Sequence, residues 1–152
     1  MSCRKWIIAI TFSFLVTISP VRAASAQKKP CTSEEGRRAF NEADRLRSWD
    51  ALYKSYKALG HCDDGAIAEG FSESVARILV DHWTTLSRLA QIARKDREFR
   101  VFVIRHVDAT LNMDDVEKIK QNARTHCPTG LRTTCRDLTT QVDSALKDGS
   151  SL

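Results

Sequence analysis

Helix breakers are scarce in this chain: three of its 152 residues are proline and six are glycine. That is too few for the turn-dense pattern of a β-sandwich or barrel, and no segment alternates apolar and polar residues as a half-buried strand does. Gly65 and Gly70 stand in helical context, without the spacing or the preceding strand of a phosphate-cradling loop. No strand-turn-helix nucleophile motif occurs, so no Ser-His-Asp or Cys-His arrangement can be argued. Beyond the first 26 residues there is no apolar run long enough to cross a bilayer. A strong excess of one charge is also lacking, once the leader is discounted.

What is present begins at the N-terminus. Arg4 and Lys5 precede an apolar run from Trp6 to Ile18, Pro20 breaks it, and Ala24-Ser25-Ala26 supplies small residues. This is the layout of a cleaved secretory signal over residues 1–26. The organisation that follows is one domain over 27–147 and a frayed tail over 148–152. The expected location is periplasmic or secreted, with no membrane insertion after cleavage. Arg4, Lys5 and Arg22 leave with the signal, so of 24 bases 21 remain against 19 acids, a net charge of +2. A near-neutral balance argues against nucleic acid as a partner.

Helical periodicity dominates the mature chain. Thr32 and Glu35 form a capping box ahead of a stripe of Phe40, Ala43 and Leu46. Ser48 caps a second helix bearing Trp49, Leu52, Tyr53, Tyr56 and Leu59, and Gly60 ends it. Asp63 or Asp64 caps a third helix, with Phe71, Val75, Ile78 and Leu79. Asp81 and Asp96 open the fourth and fifth, and Asn112 the sixth. Pro128-Thr129-Gly130 forces a turn into a seventh, which carries Leu131, Cys135, Leu138, Val142 and Ala145. The predicted fold is all-α: six or seven short antiparallel helices, in a compact orthogonal bundle or a short helical-repeat superhelix, closed by two disulfides.

Cys3 lies in the leader, which leaves Cys31, Cys62, Cys127 and Cys135, an even set in an exported chain. Three pairings are possible. Cys127 ends one helix and Cys135 lies one turn into the next, while Cys31 and Cys62 flank the first helix pair, so Cys31–Cys62 with Cys127–Cys135 is the favoured pattern. The competing use of His61-Cys62 and His126-Cys127 as a zinc site has no recognised ligand rhythm, and an oxidising compartment favours sulfur–sulfur bonds. No metal and no cofactor is expected.

Asp63, Asp64, Glu69 and Glu73 crowd the start of the third helix. Helix capping accounts for the aspartates, and Glu73 stands four residues before Arg77. The sharper reading makes these four carboxylates a partner-binding face for a basic protein. Arg94, Lys95, Arg97 and Arg100 concentrate positive charge at the corner of the fourth and fifth helices, interrupted by Asp96 and Glu98. An ordinary solvated corner is the plain reading, and steering onto an acidic partner or an anionic surface the alternative. His106 falls on an apolar stripe as a core or boundary residue, and Trp49, Tyr53 and Tyr56 read as core.

The segments Gly60-His61-Cys62-Asp63-Asp64-Gly65, Arg105-His106-Val107-Asp108 and Cys127-Pro128-Thr129-Gly130 resemble those of small exported helical proteins of proteobacterial type whose activity is uncharacterised. The resemblance spans most of the mature chain; it implies a bacterial-envelope setting and brings no catalytic or binding residue with it. The disulfide-closed helical design is also similar in general kind to periplasmic immunity and inhibitor proteins, which plug the cleft of a toxic enzyme. The expected function is therefore non-catalytic binding of another macromolecule, a protein, in the envelope. The alternative is an envelope hydrolase using Glu69, Glu73 and His61.

Overall fold

A computed structural model describes residues 29–149. The expected signal over 1–26 and the last three residues of the tail lie outside the described residues. Seven helices follow one another: α1 (Ser33–Glu42), α2 (Trp49–Leu59), α3 (Gly65–Asp81), α4 (Leu86–Lys95), α5 (Arg97–Arg105), α6 (Met113–Thr125) and α7 (Arg132–Gly149). Short 3₁₀ turns at Ala43–Arg45, Gly60–Cys62 and Trp83–Thr85 join some of them, and no strand occurs among the described residues.

Local chemistry sets most helix starts. Thr32 Oγ1 accepts from the Glu35 amide at 3.3 Å while Glu35 accepts from the Thr32 amide at 3.1 Å, a reciprocal capping box. Ser48, Asp96 and Asn112 each accept from an amide in the first turn of α2, α5 and α6. At α3 the cap is Asp64, whose Oδ1 accepts from the Gly65 amide at 2.9 Å; Gly65 takes φ +50°, a conformation that favours glycine. Two boundaries and one side-chain placement differ from the sequence expectation. Asp81 closes α3 rather than opening α4, because the His82 amide still reaches the Ile78 carbonyl; a Trp83–Thr85 turn then intervenes. Helix α7 continues through Asp148 and Gly149, residues expected in a frayed tail. Phe40, placed on the inner stripe of α1, is 61% exposed, and Ala39 and Ala43 face inward in its stead.

That last difference has a packing cause. Helix α3 is central, with Phe71, Val75, Ala76, Ile78 and Leu79 wholly buried, and it packs on α1, α2 and α6. A Cβ at Gly70 would come within 3.0 Å of Ala43 Cβ, so only small residues fit where α1 ends against α3. One turn on, Ser74 Oγ donates to the Ala43 carbonyl and accepts from the Leu46 amide, replacing helical bonds lost where α1 breaks. Contacts such as α3–α6 and α5–α7 join non-consecutive helices around one main core. That is the compact bundle rather than nearest-neighbour stacking.

The aromatic residues of α2 are core, as expected. Tyr53 meets Phe99 with ring centroids 4.9 Å apart, Tyr56 meets Phe102 at 4.8 Å, and Phe71 meets Phe102 at 5.2 Å. This ladder fixes α5 against α2 and α3, and so sets where the outer face of α5 lies. The sulfur atoms pair as favoured: Cys31 with Cys62, and Cys127 with Cys135. The second bridge ties the end of α6 to the first turn of α7, across the turn in which Gly130 takes φ +81°.

Candidate functional site

The four carboxylates expected on one binding face do not stay together. With Asp64 spent on the cap, Asp63 turns inward, its side chain 3% exposed, to pair with Arg105 and to place Oδ1 3.1 Å from His106 Nε2. Asp63 is therefore an interior ion, not a surface anchor, and a buried carboxylate needs that pairing. His106, also 3% exposed, has its other ring nitrogen 2.7 Å from the Phe102 carbonyl, so each ring nitrogen faces an oxygen acceptor. Glu73 pairs with Arg77 at 3.2 Å across one turn, and Arg77 is also held by Asp115. Of the expected set, Asp64 and Glu69 remain exposed, and Glu69 has no ion pair among the described residues.

His61 lies elsewhere, at the Cys31–Cys62 closure. Its Nε2 is 3.2 Å from Glu35 Oε2, near enough for an ion pair although not aligned for a hydrogen bond. Lys29, the Thr32 amide and hydroxyl, and His61 together hold the Glu35 carboxyl well below the usual carboxylate range. Glu35, His61 and Cys62 are grouped as metal ligands would be, but the Cys62 sulfur is already bonded to Cys31. The Cys127 sulfur is likewise engaged, so neither thiolate of the weighed zinc site is free.

A concave surface lies where α4 turns into α5 beside the start of α7. A cleft of about 670 Å³ opens there, lined by Ala90, Ala93, Val101 and Leu131 on its apolar part and by Arg94, Arg97, Glu98 and Arg100 on its charged part. Gly130, Thr133 and Thr134 complete the wall. Two smaller clefts share wall residues with it. One of about 380 Å³ shares Arg94 and adds Lys95, Arg88 and Tyr53; another of about 250 Å³ shares Arg100 and Val101 and runs toward Ile104 and Gln141. Glu69, Glu73 and His61 line none of these three.

Two acids seemed to dilute this basic corner in sequence. Asp96 does not do so: its carboxylate accepts from Lys57 at 3.1 Å, Tyr53 at 3.2 Å and the Phe99 amide at 3.1 Å. Burial raises the pKa of Asp96, but those donors outweigh it and leave the group below its ordinary value. Arg100 is paired with Asp137, and Arg88 with Asp50. Arg94, Lys95 and Arg97 have no acidic partner among the described residues, and Glu98 is the one carboxylate left to offset them. Three exposed cations against one anion leave a local excess of positive charge that the near-neutral total conceals.

The α7 end of the cleft adds uncompensated donors. The first helical bond of α7 runs from the Cys135 amide to the Leu131 carbonyl. The Arg132, Thr133 and Thr134 amides have no acceptor among the described residues, as the opening of an uncapped helix dictates. Thr134 is only 9% exposed, and its hydroxyl also has no partner there. Sequence reasoning noticed the arginines but could not see that α7 completes their cleft. Comparison with protein-family models, curated proteins and solved structures found no match.

Proposed function

We propose that this chain is an exported, non-catalytic domain of the bacterial envelope that binds a protein partner, and that the partner lays an acidic segment along the α4–α5–α7 strip. The observation that carries the reading is the group of three clefts that share wall residues, with Arg94, Lys95 and Arg97 unpaired among them. Unpaired guanidinium groups on a concave surface steer and orient carboxylates. Half-exposed Val101, 57% accessible between two of the clefts, supplies an apolar anchor within the charged rim. Two disulfides suit an oxidising compartment, and no described helix is long and apolar enough to cross a membrane. The acidic face is the weaker surface, because Asp63 is interior and Glu73 is engaged by Arg77.

The test uses the mature, disulfide-bonded protein and fluorescence anisotropy of a labelled deca-glutamate peptide. Reversal of Arg94 and Arg97 to Glu is expected to weaken binding by at least about tenfold at low salt, with little effect on the melting temperature. Glu69→Lys with Glu73→Lys, on the other face, serves as the control. Unchanged binding in the arginine variant, or loss confined to the glutamate variant, would overturn the reading.

A further inference from the structure

We propose that the α7 end of the large cleft is a subsite for a small organic phosphomonoester, its dianion held by Arg94, Arg97 and the first turn of α7. This goes beyond the protein-partner reading and stands or falls separately from it. Three independent features meet there. Arg94 and Arg97 present planar donor forks with no carboxylate to occupy them. The amides of Thr133 and Thr134 open an 18-residue helix, whose N-terminal end carries partial positive charge. Thr134, a residue only 9% exposed whose hydroxyl has no hydrogen-bond partner among the described residues, belongs to the same wall.

The charge count selects the ligand. Two free guanidinium groups plus a helix terminus match a dianion better than a lone carboxylate, and the oxygens of a phosphate can engage both forks at once. Glu98, on the same wall, disfavours an ion with no other group to offer it and suits a ligand that also carries a hydroxyl donor. The volume of about 670 Å³ is far more than a bare ion fills and falls in the range of small-molecule sites. Ala90, Ala93, Val101 and Leu131 provide an apolar bed for the organic part.

Titration of the mature protein with phenyl phosphate, followed by backbone amide NMR, tests this. The Thr133 and Thr134 amides are expected to shift, and phenyl sulfate, of like shape but with one charge, to bind about fivefold or more weakly. Arg97→Ala should weaken phenyl phosphate about tenfold and Thr134→Val about fivefold, with Thr134→Ser restoring the parent value. Unmoved α7 amides, or equal binding of the sulfate, would overturn the proposal. So would a Thr134→Val protein that folds and binds as the parent does. Co-sedimentation with phosphatidic acid vesicles, in the absence of any phenyl phosphate shift, would replace it with a membrane surface. Deca-glutamate binding that depends on Arg94 and Arg97 without a phenyl phosphate site would sink this subsite alone. The reverse pattern would sink the protein-partner reading alone.

Discussion

At the Cys31–Cys62 end, one carboxylate, Glu35, gathers Lys29, Thr32 and His61 around itself; at the Cys127–Cys135 end, Arg94, Lys95 and Arg97 border clefts without an ion-pair partner, and Glu98 alone offsets them. Both ends are stapled by a disulfide, yet only the first is electrically closed. The difference shows in their surroundings too. The first bridge shuts α1 and α2 onto the small buried cluster of Ala39, Leu59 and Cys62, whereas the second holds the rim of an open surface. Paired charge here belongs with closure of the fold. Unpaired charge sits where it costs the fold little and remains available to a ligand.

Removing each staple separately is the strongest way to break this contrast. Chain entropy gives upper figures of about 3.5–4 kcal/mol for Cys31→Ser with Cys62→Ser and about 2.5 kcal/mol for Cys127→Ser with Cys135→Ser. Urea denaturation is expected to show that order. Only the second pair of substitutions should also weaken binding of deca-glutamate and phenyl phosphate, since it frees the α7 wall of the cleft. Equal losses of binding from both variants would show that the two ends are not functionally distinct.

Asp63→Ala asks whether the interior carboxylate belongs with the closed end. It strands His106 in the core and releases Arg105, so a loss of about 3 kcal/mol is expected in the same denaturation experiment. Glu69→Ala, on the exposed turn of α3, should stay within about 0.5 kcal/mol of the parent. A small effect at Asp63 would return it to the surface set with Asp64, Glu69 and Glu73.

The finest cut is at Asp96, which ties the basic corner back to α2. Asn at this position keeps the cap on α5 but gives up the ion pair with Lys57, at a cost of about 0.5 kcal/mol at neutral pH. Because the folded carboxyl titrates below its ordinary value, its contribution is complete above the unfolded pKa near about 3.9 and fades as the pH falls through the folded one. The stability gap between parent and Asp96→Asn is therefore expected to shrink on acidification. A gap that stays constant down to the acid limit would show that Lys57 plays no part in it.

Much of the fold could be read in advance because its signals are local. Thr32, Ser48, Asp96 and Asn112 cap helices through bonds to residues two or three positions away, and each bridge joins cysteines flanking a single hairpin. What escaped depends on residues far off in the chain. Phe40 is displaced outward because Gly70 and Ser74, some 30 positions on, allow the small side of α1 to approach. Asp63 is drawn inward by Arg105 and His106. The basic corner was visible as a run of charges, but its cleft exists only when Gly130, Leu131 and Thr134 arrive from α7, and its net sign depends on Lys57 removing Asp96. Periodicity marks which residues share a helix face; it does not say what that face meets.

The two tryptophans among the described residues give the molecule its own optical readout. Trp49 is locked in the core with its indole N–H unpartnered, an environment that favours short-wavelength emission. Trp83 is half-exposed, and its indole donates at 2.8 Å to the carbonyl of His126, the residue just before Cys127. A label-free change in the redder component therefore reports the seating of the second staple, while the bluer component reports whether the interior is still intact. Loosening at one end can be followed in real time without confusing it with unfolding of the whole.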